Sequence, residues 1–302
     1  MPVRARPSEY LLQAIPNVSE GRDRGLIQAL GDAVERAGAD LRDVHADVDH
    51  HRTVYTYLGP PDVVERATLA LARLAVDRID LRRHQGVHPR VGALDVVPFV
   101  PLATTPMEEA VKSARRVGRA FSEQTGVSVF FYGEATERPE RRELPVVRWG
   151  GFERLAERLA DPAWCPDCGA AAPHASAGVS VFGARGPLIA FNAMLDTADV
   201  AIAKSISAAI RESAPGGLPA VRAMGVFLAS RGIAQVSMNL LDYRRTPPAA
   251  VAARVDAEAR ARRAGVGAWE LVGCAPTDAW GDAPANLLAP PCLLDAALFA
   301  AR

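Results

Sequence analysis

Apolar residues fall into short runs broken by Gly, Pro, Asn and Asp, with longer segments at helical spacing between them. Residues 11–15 (Leu-Leu-Gln-Ala-Ile) read as a short buried strand, which Pro16-Asn17-Val18-Ser19-Glu20-Gly21 breaks. Leu26, Ile27, Leu30, Ala33 and Val34 then recur at the spacing of one helical face, predicting a helix over 23–37. Two strands follow, 41–46 and 53–58, joined by the polar turn Asp47-Val48-Asp49-His50-His51. A helix is expected over 61–79, opening on Pro61 in the first turn, where proline is favoured. Then come a strand at 93–100, a helix at 107–125 and a strand at 127–132.

Residues 133–177 lack periodicity and are proline-rich, with room for one helix near 151–160. After them the order repeats: strand 188–195, helix 198–213, a hairpin of 221–229 and 233–240 across Ser230-Arg231-Gly232, helix 249–264 and strand 267–272. Residues 275–291 read as a loop before a short C-terminal helix. The pattern predicts an α+β protein of two ferredoxin-like (β-α-β-β-α-β) subdomains. Each would be a mixed or antiparallel sheet with helices on one face. The expected boundaries are 9–177 and 178–302.

Composition narrows the function classes. The 302 residues are 49% hydrophobic, ample for two cores, and 35 basic residues balance 35 acidic ones. A nucleic-acid binder shows a basic excess or stripe, so no nucleic-acid partner is expected. No run reaches the roughly 18 apolar residues of a membrane helix, and Met1–Tyr10 does not read as a signal peptide. A cytoplasmic protein without membrane contact is expected. Four cysteines make no disulfide framework.

Candidate chemistry concentrates early. All six histidines lie at or before residue 174, five of them between His45 and His88. In the loop His84-Gln-Gly-Val-His88-Pro-Arg90, the two histidines are four apart, which reads either as a metal pair or as a proton shuttle. Gly86 and Pro89 disfavour the helix a metal pair would need, since proline pushes the residue before it out of the α region. His45, His50, His51 and His84 could converge on zinc, but their spacing matches no zinc pattern. Cys165-Pro-Asp-Cys168 has no second C-x-x-C and no strand–helix setting, so it reads as incidental loop cysteines. Asp47, Asp49 and Arg52 form either a solvated hairpin or a turn facing the histidine loop. Asn17, Glu20 and Arg22 either cap the next helix or line a pocket. The segment Gly169, Ala170, Ala171, Ala172, Pro173, His174, Ala175, Ser176, Ala177 and Gly178 reads either as a linker or as exposed backbone able to approach a planar ligand or an anion.

Six segments fall in one order: Pro16-Asn-Val-Ser-Glu-Gly-Arg22, His51-Arg-Thr-Val54, His88-Pro-Arg-Val-Gly-Ala-Leu-Asp95, Tyr132-Gly-Glu-Ala135, Leu188-Ile-Ala-Phe-Asn192 and Ala234-Gln-Val-Ser-Met-Asn239-Leu-Leu-Asp242. In this the chain resembles the glutamate formimidoyltransferases, the N-terminal part of formimidoyltransferase–cyclodeaminase. The resemblance covers about residues 11–299. It implies two α/β subdomains with a groove between them, in a homodimer, and transfer of a formimidoyl group from N-formimidoyl-L-glutamate to N5 of tetrahydrofolate in histidine breakdown. The family's catalytic histidine falls on His88, its active-site arginine on Arg52 and its folate loop on 169–178. Animal members carry an aspartate where this chain has His45 and an asparagine where it has His51; Asp47 and Asp49 stand close enough in sequence to compensate. The chain stops before a cyclodeaminase domain, so that activity is expected to be absent and a separate cyclodeaminase is admitted as a partner.

The expected catalytic set is His88, Arg52 and His45, with Asn17, Arg90 and Asp49 binding substrate and residues 169–178 binding the folate co-substrate. No metal is expected, because the donor carbon is already activated as an amidinium. The alternatives are formyl transfer between 5-formyltetrahydrofolate and glutamate, or a non-catalytic folate-binding homologue.

Overall fold

The computed structural model describes residues 10–281 and 283–299. Met1–Glu9, on which most of the signal-peptide reading rests, lie outside them, as do residues 300–302 at the end of the expected second subdomain. The chain divides into two compact units, meeting at Arg185/Gly186.

The first unit holds β1 (Leu11–Ala14), β2 (Asn17–Val18), α1 (Arg24–Arg36), β3 (Asp40–Asp47), β4 (Arg52–Gly59), α2 (Pro61–Arg78), β5 (Leu94–Leu102), α3 (Met107–Thr125) and β6 (Ser128–Gly133), then α4 (Leu144–Val147), α5 (Leu155–Leu159) and β7 (Val179–Ala184). β1 and β2 act as one strand interrupted near Pro16. Each pairs antiparallel with β4 on one side and β5 on the other. β3 flanks β4, and β5 continues through β7 to β6 in parallel. The order β3–β4–β1/β2–β5 is the ferredoxin-like arrangement, extended by β7 and β6.

β7 is the one strand of more than three residues that the hydrophobic pattern did not predict; the short β2 and the later short strands Cys274–Pro276 and Cys292–Leu294 were also unpredicted. β7 is buried along its whole length, as a central parallel strand should be. Its pairing with β5 and β6 carries the first unit past the expected boundary at residue 177 to Arg185.

Strand alternation decides which side chains see the helices. Tyr55 and Tyr57 of β4 point into the helix-side core, where Tyr55 Oη donates to the Ile27 carbonyl (2.9 Å) and Tyr57 Oη bonds Thr68 Oγ1 (2.7 Å). Arg52, Val54 and Thr56 therefore take the other face, with their register partners Asp47, His45 and Asp43 on β3. Toward β6 this second face is covered by α4 and α5, through Val147, Leu155 and Leu159 against Val91, Val96, Phe130 and Val181. The proline-rich segment thus supplies two short helices, α5 within the predicted stretch and α4 before it.

The second unit holds β8 (Ile189–Leu195), α6 (Val200–Ile210), β9 (Val221–Leu228), β10 (Ile233–Leu240), α7 (Pro248–Ala261) and β11 (Val266–Val272), then the short β12 (Cys274–Pro276) and β13 (Cys292–Leu294). Its sheet, β11–β8–β10–β9, is wholly antiparallel and again ferredoxin-like. Phe191 stacks on Trp269 at 4.8 Å in a core that α6 and α7 close. Cys274 and Cys292 are disulfide-bonded across β12 and β13. The expected C-terminal helix is a single 3-10 turn at Ala296–Phe299. Among the described residues no helix is long and apolar enough to cross a membrane.

Candidate active site

The site grows from a break in strand pairing. Asn17 faces Val96 and the next residue, Val18, faces Leu94, so Asp95 is the extra residue of a β-bulge on β5. Bulges re-aim side chains and recur beside active sites. Here the bulge places a fully buried carboxylate among cations. Asp95 Oδ2 accepts from Arg52 Nη1 (2.7 Å) and from Arg148 Nη2, and its Oδ1 accepts from the Val91 amide (2.8 Å). Burial would raise this carboxyl, but Arg148 and Arg52 reverse the effect and hold it well below the usual carboxylate range. Arg52 also donates from Nε to Asn17 Oδ1 (2.9 Å). Burial pulls its guanidinium down to about 10, with Arg148 adding to the fall and Asp95 opposing it.

Val91 ends the histidine loop, so the same carboxylate that collects the arginines fixes that loop. His88 is half-buried, 5.7 Å from the His50 ring. Its Nδ1 lies 2.8 Å from the Pro89 carbonyl. A carbonyl can only accept, so this contact assigns the proton to Nδ1 and leaves the Nε2 lone pair for chemistry. Loss of solvation, then Arg52, Arg148 and His50, hold this imidazole well below its ordinary pKa.

The other histidines build the wall. His51 stacks on His84 at 4.2 Å, and its ring nitrogens face Glu20 Oε1 and the Gln85 carbonyl, each at 3.2 Å. Glu20 also accepts the amides of Arg22 and Asp23. Against the effect of burial, the hydrogen bonds from His51 and those two amides hold it down at about 2. His84 donates from Nε2 to the His51 carbonyl (2.7 Å), and burial pushes it down to about 4. His51 itself is in the left-handed region (φ 49°). Asn and His are both enriched there among non-glycine residues. His51 therefore falls where the backbone accepts such a side chain.

The sequence-derived residues divide as follows. His88, Arg52 and Asn17 come together. Asp49 accepts the Val87 amide at its carbonyl (3.0 Å), tying the β3–β4 turn to the histidine loop. His45 lies on β3 on the same sheet face as Arg52. Arg90 pairs with Glu153 (2.8 Å) and donates to the His84 carbonyl (3.2 Å), which makes it an anchor of the loop. Residues 169–178 reach the same segment through backbone bonds, Leu81 N–H to the Ser176 carbonyl (2.8 Å) and Ala93 N–H to the Ala177 carbonyl (3.0 Å). His174 also lines a cleft of about 350 Å³ with Arg73, Val76, Asp77, Gln124 and Thr125.

Comparison with known proteins decides the family. The model of the formiminotransferase N-terminal subdomain matches residues 11–185, and that of the formiminotransferase domain matches 190–288. The chain belongs to the formiminotransferase family. It is 43% identical to formimidoyltransferase-cyclodeaminase of Gallus gallus over 280 residues, 90% of this chain and 51% of that protein. It is 38% identical to glutamate formimidoyltransferase of Streptococcus pyogenes serotype M1 over 270 residues, 89% of this chain and 90% of that protein. It is 40% identical to glutamate formimidoyltransferase of Thermoplasma acidophilum over 240 residues, 78% of each. The chain thus spans about half the length of the bifunctional relative and most of the two monofunctional ones.

Two residues of this candidate site went unassigned in sequence. Asp95 was visible as the lone charge in an apolar strand. Arg148 carried no signal, because it lies in a segment without periodicity. Among the described residues no group of three or more His, Cys, Asp or Glu is placed to hold a metal ion.

Proposed function

We propose that this chain transfers a formimidoyl group from N-formimidoyl-L-glutamate to N5 of tetrahydrofolate, with His88 as the general base. Tetrahydrofolate is the co-substrate. N5 attacks the amidine carbon of the donor while His88 Nε2 takes the N5 proton. The tetrahedral intermediate then collapses, the carbon–nitrogen bond to glutamate breaks, and the same imidazolium returns its proton to the leaving nitrogen. Proton and electron pairs balance with glutamate and 5-formimidoyltetrahydrofolate as products. The observation that carries this reading is the imidazole of His88, held at Nδ1 and kept neutral beside Arg52 and Arg148. A neutral base with one oriented lone pair is what the step needs. Arg52, with Nε and Nη1 engaged by Asn17 and Asp95, acts through charge and position.

The proposal extends to residues 169–178 as folate contacts, to a homodimer in the cytoplasm, to a place in histidine breakdown and to a separate cyclodeaminase acting on the product. The test runs two assays side by side, formimidoylglutamate with tetrahydrofolate and 5-formyltetrahydrofolate with glutamate. Turnover in the first is expected. Turnover only in the second, or folate binding without turnover in either, contradicts the proposal.

A further inference from the structure

Arg148 follows α4 directly, its amide bonded to the Leu144 carbonyl (3.0 Å), and Val147 before it is buried in the core that α4 covers. Its side chain is only 13% exposed. Its guanidinium meets Asp95, but so does that of Arg52, and both engage the same oxygen, Oδ2. The other oxygen takes the Val91 amide. Two guanidiniums therefore share one carboxylate, and a positive charge is left over. The hydrogen-bond pattern shows where. Arg52 has its Nε satisfied by Asn17. The Nε of Arg148 is closed off and has no hydrogen-bond partner, as is true of Arg90, Arg141 and Arg158; what sets Arg148 apart is that its one acidic partner is already shared with Arg52. Buried polar groups are nearly always paired, and a charged donor without an acceptor is costly. A surplus cation on a planar fork whose side chain keeps 13% exposure fits a carboxylate, which takes a guanidinium edge better than a point charge. Arg148 is also one of the cations whose charge acts on His88, so its guanidinium belongs to the surroundings of the base.

We propose that Arg148 is a specificity-determining residue that takes a carboxylate of the glutamate half of the donor. This deepens the formimidoyl-transfer reading and rests on it for the identity of the substrate. The segment carrying Arg148 is then part of the donor site, and Asp95 is the positioning residue that aims it.

The test measures initial rates for the wild type, Arg148→Gln and Arg148→Lys, varying formimidoylglutamate and tetrahydrofolate separately. Loss of one charge-assisted pair should raise KM for formimidoylglutamate about ten- to a hundredfold in Arg148→Gln, with KM for tetrahydrofolate unchanged. Arg148→Lys should recover part of the loss, since it keeps the charge without the fork. Calorimetric titration with L-glutamate reads the anchor without turnover and should show binding to the wild type and weaker binding to both variants. The inference is overturned if Arg148→Lys binds L-glutamate as tightly as the wild type, or if the wild type does not bind it. It is equally overturned if KM rises for tetrahydrofolate instead, which would place the folate's own glutamate tail at Arg148, or for both substrates together with a fall in melting temperature. If L-glutamate binds as expected and no formimidoyl transfer occurs, the functional reading fails and the anchor stands.

Discussion

At Asp95 one carboxylate serves two arginines and the loop that carries His88. Removing its charge strands both guanidiniums in a buried site, and breaking a buried ion pair costs about 3–5 kcal/mol. Asp95→Asn should lose stability on that order in denaturant titration. His88 is tested through its protonation. Its folded pKa is depressed, so it is neutral across the physiological range and gains a proton only well below pH 6.5. The acidic limb of kcat/KM should therefore fall below pH 6.5. In Arg148→Lys, which keeps the neighbouring charge, the limb should stay there; in Arg148→Gln it should move to higher pH. His88 and Arg52 could be singled out in the sequence because their residue types and neighbours recur in a recognisable order, and the structure brings the two together. Arg148 could not, because its contact with Asp95 comes from a short helix laid across the sheet, a tertiary fact with no local pattern.

At the scale of elements, the histidine loop is held by a close approach that only glycine allows. A Cβ on Gly86 would lie 2.4 Å from the His50 carbonyl and 2.8 Å from the His51 Cβ. Gly86→Ala must move the loop away from the β3–β4 turn. Since the loop is largely exposed, the cost in stability should be about 1 kcal/mol. The displacement of His88 should lower kcat about ten- to a hundredfold, as misplacement by an ångström does. A melting curve and a rate measurement on the same preparation separate the two effects. Amphipathic helices such as α1 and α3 were readable to within a residue or so, because one face repeats. β7 was missed for the opposite reason: buried on both faces and interrupted by Gly183, it shows no alternation. The bulge at Asp95 was hidden too, since a register shift depends on which strand lies alongside.

For the whole molecule, the same β-α-β-β-α-β order builds both units, and this much of the architecture was written in the hydrophobic pattern. The chemistry is not repeated: the described histidines all lie in the first unit, and at least two are held neutral by burial. His84, near 4 in the folded chain, and His88, also depressed, bind protons more readily when unfolded. As pH falls from about 6.5 toward 4, the unfolded state takes up protons that the folded state refuses, and stability drops. Above about 6.5 neither group contributes a slope. Melting temperature against pH should show this decline, and His84→Asn should flatten it.

The central claim is that His88 is the base of a formimidoyl transfer. It is tested most directly by following 5-formimidoyltetrahydrofolate formation from formimidoylglutamate and tetrahydrofolate, by the wild type and by His88→Ala. The account predicts turnover by the wild type and a loss of about 10²–10⁴-fold in kcat for the variant, with KM for tetrahydrofolate changed only a few-fold. Near-normal kcat in a folded His88→Ala would contradict it.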